Sequence, residues 1–475
     1  NGMEDENIVQ AIPNAKASEW MEENIPLFEC PQHNFEEMYY YRWWSIRKHI
    51  KETPVGYGMT EFLVQRSYSD KYNLIACAIG HHIYESRWLR DPKYLDQIIH
   101  TWYRGNDGGP MKKMDKFSSW NADAVLARYM VDGDKDYLLD MKKDLETEYQ
   151  RWERTNRLKN GLYWQGDVQD GMEESISGGR KKKYARPTIN SYMYGNAKAL
   201  SCIGILSGDE GMAMKYGMRA DTLKNLVENE LWNTRHQFFE TMRTDSSANV
   251  REAIGYIPWY FNLPDTTQKY EIAWKEIMDE KGFSAPYGLT TAERRHPEFR
   301  TRGVGKCEWD GAIWPFASAQ TLTAMANFMN NYPQTVLSDS VYFRQMELYV
   351  ESQYHRGRPY IGEYLDEVTG YWLKGDQERS RYYNHSTFND LIITGLIGLR
   401  PRLDNTIEVN PLIPADKWDW FCLDNVLYHG HNLTILWDKN GDRYHCGKGL
   451  RIFVDGKEVG HTDTLTRIVC ENVLK

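Results

Sequence analysis

The stretch MVDGDKDYLLDMKKDLETEYQRW, residues 130–152, decides the architecture. Leu138, Met141, Leu145, Tyr149 and Trp152 recur at helical spacing, which stacks them on one face of an α-helix. Asp132-Gly133-Asp134 just ahead of them reads as the end of one helix, a turn, and the cap of the next. The same punctuation recurs at Leu89-Arg90-Asp91-Pro92-Lys93, with Pro at the tolerated first helical position, and at Leu206-Ser207-Gly208-Asp209-Glu210. These are helix hairpins repeated along the chain.

Working outward, helices are expected near 35–51, 71–87, 92–104, 119–131, 135–155, 190–206, 210–229, 268–280, 311–329, 336–355 and 386–398. Such a series fits a mainly α fold, an (α/α)6 toroid of hairpins. Beyond Pro401 the period changes to two, at Thr406–Val409, Leu433–Trp437, Leu450–Val454 and Leu465–Val469, with turns at 438–442 and 455–457. A small antiparallel β-sandwich is expected there. The organisation read from the sequence is an N-terminal extension over 1–34, a helical barrel over 35–400 and a β-sandwich over 401–475.

Composition narrows the function. With 41% hydrophobic and 13% aromatic residues in 475, the chain can build a large core and is not disordered. A net charge of −9 without a long basic run argues against a nucleic-acid partner. No apolar run is long enough for a membrane span. Seven cysteines, scattered and without a CxxC pair, spell neither a disulfide framework nor a thiolate metal site, and no cofactor or metal is called for. The sequence begins Asn1-Gly2 without an initiator Met or an apolar leader, as expected of a trimmed product, so a periplasmic or secreted location rests on the substrate argument.

The long connections are irregular and rich in Trp, Gly and acids, at 156–189, 231–266, 281–310 and 356–385. Loops of this length inside a compact domain are usually functional. The first carries Trp164, Gln165, Asp167, Asp170, Glu173 and Glu174, and leads through Arg186 into a helix. The third ends in Trp309-Asp310-Gly311-Ala312-Ile313-Trp314-Pro315, and the fourth carries Glu363, Asp366 and Glu367. Aromatic rings that stack on sugar C–H faces, beside carboxylates that hold hydroxyls, suit a carbohydrate substrate. Carboxyl groups from two separate loops meet the need of glycoside hydrolysis for one protonated and one ionised acid. Trp120, Asn121, Trp164, Gln165, Arg186, Trp309, Asp310 and Trp314 are candidate substrate contacts, with His385 a weaker one. Arg186 or Arg381 could supply the cation that keeps a base ionised.

The order of motifs resembles the trehalase-like and family 63-like glycoside hydrolases, including the mannosylglycerate-hydrolase-like members. Val168-Gln-Asp-Gly-Met-Glu173 followed by Thr188-Ile-Asn-Ser-Tyr-Met193 stands where those families carry their first acidic loop. Leu231-Trp-Asn-Thr-Arg-His-Gln-Phe-Phe239, Ala253-Ile-Gly-Tyr-Ile-Pro-Trp259, Trp309-Asp-Gly-Ala-Ile-Trp-Pro315 and Glu363-Tyr-Leu-Asp-Glu-Val-Thr-Gly370 follow in the family order. The resemblance implies an (α/α)6 barrel, inversion at the anomeric carbon, Glu173 as general acid and Glu363 as general base. It also favours an α-linked hexose and exo action. Relatives use Asp in the acid slot, so Asp170 is the alternative acid. A carbohydrate-binding protein without turnover, or a glycoside phosphorylase, are the competing readings.

Overall fold

The computed structural model describes residues 10–474; the first nine residues of the expected extension and Lys475 lie outside them. The hairpin punctuation becomes antiparallel helix pairs: α1 (Ala17–Asn24), α2 (His33–His49), α3 (Ile79–Ser86), α4 (Pro92–Arg104), α5 (Asn121–Asp132), α6 (Lys135–Asn156), α7 (Pro187–Ser207), α8 (Glu210–Leu226), α9 (Ile257–Tyr260), α10 (Pro315–Asn331), α11 (Asp339–Ser352) and α12 (Asn389–Leu391, continued as a wider turn to Leu396). Burial sorts them into two rings. α7 and α10 are buried on nearly every side over their first halves, whereas α6 buries one stripe, Leu138, Met141, Leu145, Tyr149, Trp152 and Asn156. A helix apolar all round belongs inside and a striped one outside. Contacts run from α3 to α5, α7, α9, α10, α12 and back to α3, a closed inner ring, with α4, α6, α8 and α11 outside and α2 packed on α11 and α12.

Local chemistry sets the ends. Pro sits in the first turn of α4, α7, α9 and α10, and the Asp91, Asp134 and Asp209 side chains accept backbone N–H groups at the starts of α4, α6 and α8. Gly133 and Gly208 stop α5 and α7 at φ of 70° and 72°, the left-handed conformation glycine adopts without penalty.

Strands Trp420–Tyr428, His431–Asp438, Gly449–Val454 and Lys457–Thr462 form an antiparallel sheet, and Ile407–Val409 pairs with Ile468–Cys470 beside it. A fifth strand comes from the other end of the chain: Leu27–Glu29 pairs with Cys422–Asp424 at the sheet edge. The segment read as an extension is therefore partly sheet and, through α1, partly helix. Strand 420–428 escaped the sequence because its register shifts between Leu423 and Val426, which breaks the alternation. Residues 71–78, expected to be helical, are two short 3-10 turns, because Tyr72 and Asn73 stand at φ of 61° and 63°. The 268–280 helix is a 3-10 segment, Glu271–Ile277. Among the described residues no helix is long and apolar enough to cross a membrane.

Candidate active site

Each acidic loop feeds the first turn of an inner helix: 157–186 leads into α7, 290–314 into α10 and 356–388 into α12. Alternating antiparallel helices put all inner N-termini at one end of the ring, so loops remote in sequence meet there. Arg302 Nη1 donates to the Ile176 and Ser175 carbonyls at 2.6 and 3.1 Å, seating the third long loop on the first. Arg300 pairs with Glu308 at 3.2 Å, Asp366 at 3.5 Å and Glu367, tying that loop to the fourth. Ile313 and Leu365 exchange backbone hydrogen bonds of 3.0 and 2.9 Å, and the Tyr364 hydroxyl donates to the Lys306 carbonyl. Gly311 stands at φ 150° with Phe299 packed where a Cβ would project, so no larger residue fits that crossing.

Glu173 and Glu363 project from the two outer members of this assembly. Glu173 is half-buried between Gly171 and Glu174, which stand at φ of 71° and 68°. Left-handed backbone at a non-glycine residue such as Glu174 is strain of the kind held at functional loops. Burial, with the charges of Asp167 and Glu363 adding to it and Arg180 opposing, pushes the Glu173 carboxyl up to about 7. Glu363 is 5% exposed and has the opposite surroundings: the Ser380 hydroxyl donates at 3.3 Å, with Arg379 and Lys374 at 3.5 and 3.8 Å. The two carboxyls sense each other, Glu363 among a hydroxyl donor and two cations and Glu173 with only its own backbone N–H and the charge of Arg180 to offset burial.

Aromatic rings cluster beside Glu363, where Lys374 lies over the Tyr364 ring. Trp309, Trp314 and Tyr364 stack in series with centroids 4.4 and 4.5 Å apart. The indole N–H groups of Trp309 and Trp314 are buried without a partner, as are both polar atoms of Gln165, Asp310 Oδ1 and His385 Nε2. Asp310 Oδ2 is held by the Arg302 and Gly303 backbone N–H groups at 2.6 and 3.0 Å. Burial holds the His385 ring neutral. Open donors and acceptors beside flat apolar faces are what a sugar requires.

Other candidates are engaged elsewhere. Asp170 and Arg186 are both sealed from solvent and pair at 2.6 Å, and Asp170 also accepts from Thr188 at 2.7 Å and Ser118 at 3.1 Å. Asp170 thus spends three of about four acceptor lobes on these partners behind a sealed surface, and the cation of Arg186 is engaged with Asp170 rather than Glu363. Arg381 lies 4.8 Å over the Tyr382 ring. Asn121 turns outward, donating to Glu148 of α6 at 2.9 Å. Trp120 donates to the Tyr260 hydroxyl at 3.1 Å and packs with Tyr192, Tyr260 and Phe316, filling the middle of the ring. Trp164 is half-buried, with Lys183 4.7 Å over its ring. Lys374, Arg379 and Ser380 went unread, although the run Lys374 to Arg381 does place three cations after the Glu363 turn.

Comparison with known proteins gives the family and the fold. The model of the mannosylglycerate hydrolase MGH1-like glycoside hydrolase domain matches residues 71–386. The chain belongs to that family. Residues 399–461 match the C-terminal domain of glycosyl hydrolase family 65. The toroid is shared with the GH63 mannosylglycerate hydrolase from Thermus thermophilus in complex with Tris, at 12% identity, TM-score 0.56, 75% of this chain and 98% of that one. The GH78 family rhamnosidase of a Bacillus species shares it at 9% identity, TM-score 0.61, 90% of this chain and 41% of that one. A solved structure named "Sialidase" is 96% identical with TM-score 0.99; it covers all of this chain, which spans 44% of that protein.

Proposed function

We propose that this glycoside hydrolase is an exo-acting, inverting enzyme on a glycoside, with an α-linked hexose favoured, Glu173 as general acid and Glu363 as general base. The observation that carries the reading is the opposed environment of the two carboxyls: Glu173, raised to about 7, faces Glu363, which is held by Ser380, Arg379 and Lys374. Near neutral pH Glu173 gives its proton to the glycosidic oxygen as the bond to the anomeric carbon breaks. Glu363 takes a proton from the water that attacks the opposite face, and the released sugar has inverted configuration. A water between base and sugar calls for a carboxyl separation of roughly 6.5–9.5 Å.

The aromatic plug of Trp120, Tyr192, Tyr260 and Phe316 across the ring supports a blind pocket and hence exo action. The Glu363 carboxyl, standing where a phosphate nucleophile would have to sit, speaks for water as the nucleophile and against a phosphorylase. A secreted or periplasmic address suits a glycan substrate. The test is a panel of α- and β-linked glycosides with the first-formed anomer followed by proton NMR. Inversion, abolished by Glu173→Gln, supports the reading; retention overturns the mechanism, and sugar binding without any turnover favours the carbohydrate-binding alternative.

A further inference from the structure

A third carboxyl group lies between the two proposed catalytic ones. Glu61 follows the hairpin Ile50–Thr53 and Gly56–Met59, and its backbone carbonyl accepts the Asn384 N–H at 2.9 Å. One residue earlier, the Thr60 carbonyl accepts Asn384 Nδ2 at 3.0 Å. On the other flank the Tyr383 N–H donates to the Ile361 carbonyl at 3.1 Å, two residues before Glu363. The short segment 383–385 thus fastens Glu61 beside the base. Towards the acid, Cys77 Sγ donates to Glu61 Oε2 at 3.2 Å, and the Cys77 side chain packs against Gly171, two residues before Glu173.

The partners of Glu61 are few for so buried a group. It is 3% exposed. Two other sealed carboxyls are well furnished: Glu85 receives the N–H groups of Phe388, Asn389 and Asp390, and Asp390 receives Arg87 and the Trp88 indole. Glu61 has a thiol, a weak donor, and contact with the Tyr383 hydroxyl. The His385 Nδ1 is 3.9 Å from its other oxygen, beyond hydrogen-bond reach. His385 Nε2, 2% exposed as a residue, also lacks a partner. A buried carboxyl left short of donors costs free energy unless something else supplies them. Next to Glu61 stands His385, whose ring lies 5.9 Å from that of Trp314, so a sugar hydroxyl on that aromatic face would supply them.

Building on the hydrolase reading, we propose that Glu61 is a sugar-binding residue of the pocket, which grips a hydroxyl of the ring bound between Glu173 and Glu363 and so selects which sugar is accepted. Burial pushes its carboxyl up to about 8, with the charges of Glu363 and Glu173 adding to the effect, so at neutral pH it is protonated. In that state it donates one hydrogen bond and accepts another, as a hydroxyl needs. Neutrality also spares the pocket a third negative charge beside the base.

The experiment compares wild type, Glu61→Gln and Glu61→Ala on the glycoside that wild type cleaves best, with melting temperature as a control on folding. The expected result for Glu61→Ala is a KM at least tenfold higher, kcat within threefold and a flattened preference between sugars that differ at one hydroxyl; Glu61→Gln, whose amide also donates and accepts, is expected to keep KM within threefold and the melting temperature unchanged. An unchanged KM and preference in Glu61→Ala, or a loss confined to kcat, overturns the proposal. Should Glu61→Ala fail to fold, Glu61→Met takes its place. Should wild type cleave no glycoside, the hydrolase reading falls by itself. Titration calorimetry with D-glucose, D-mannose, D-galactose and L-rhamnose then decides on Glu61. A tenfold weakening of the tightest of the four in Glu61→Ala supports the proposal, and equal binding, or no binding by wild type, overturns it.

Discussion

Three residues apart on one loop, Asp170 and Glu173 live in opposite circumstances. Asp170 is wholly enclosed and held by Arg186, Thr188 and Ser118. Glu173 has its own backbone N–H and the charge of Arg180 against burial and two like charges. The first carboxyl is consumed in holding the loop, and the second is left free to change its protonation. The same contrast separates Glu85, capped by backbone N–H groups, from the sparsely bonded Glu61. A carboxyl whose hydrogen bonds are complete organises the protein; one whose bonds are missing waits for a ligand.

Removing the open acids is the strongest way to test that contrast. Glu173→Gln and Glu363→Gln are each expected to lower kcat by about 10²- to 10⁴-fold, measured by steady-state hydrolysis, with the melting temperature nearly unchanged. Asp170→Asn should do the reverse. It strands Arg186 without its counter-charge, and chemical denaturation should register a loss on the order of 3–5 kcal/mol, whereas any activity remaining in the folded fraction keeps its wild-type kcat. If Asp170→Asn instead stays stable and loses turnover, the roles of the two acids are exchanged.

A pH profile sharpens the comparison. Glu173 acts as an acid only when protonated, and its carboxyl is raised to about 7, so kcat should fall through pH 7 and then drop about tenfold per further unit. The linkage has the same sign: in the unfolded chain Glu173 titrates near the ordinary carboxylate value, so the stability it contributes is present below that value and is lost as pH rises through about 7. Glu173→Gln should therefore flatten the denaturation midpoint over this range. The smallest effect belongs to the outward-facing Asn121→Ala, where kcat/KM is expected to stay within about twofold of wild type.

The helices were legible because their periodicity is local. Leu138 to Trp152 states an outer helix, and Asp134, Asp209 and Pro92 state helix starts, without reference to anything distant. The loops were legible as acidic and aromatic. What their residues touch was not: Asn121 heads a helix in the sequence much as a pocket residue would, and only the packing of α5 on α6 turns it to Glu148. Asp170 and Glu173 look alike in sequence because Arg186 and Thr188, which distinguish them, lie across a hairpin turn. Glu61 left no trace at all, since a single acid between Thr60 and Phe62 has no pattern, and its meaning comes from Cys77 and the 383–385 segment. The Leu27–Glu29 strand was hidden for a similar reason, being three residues whose partner lies near the opposite end of the chain.

That short strand carries a liability as well as a bond. It shields the flank of Trp420–Tyr428, whose Phe421 and Leu423 are wholly buried. A nick between residues 29 and 33 would leave it held by its ladder bonds, the buried Phe28 and its link to α1, and its departure would bare a row of amides ready to recruit a neighbouring molecule. Proteolytic trimming at this seam would thus surface first as self-association, before any harm reached the pocket at the far end of the ring.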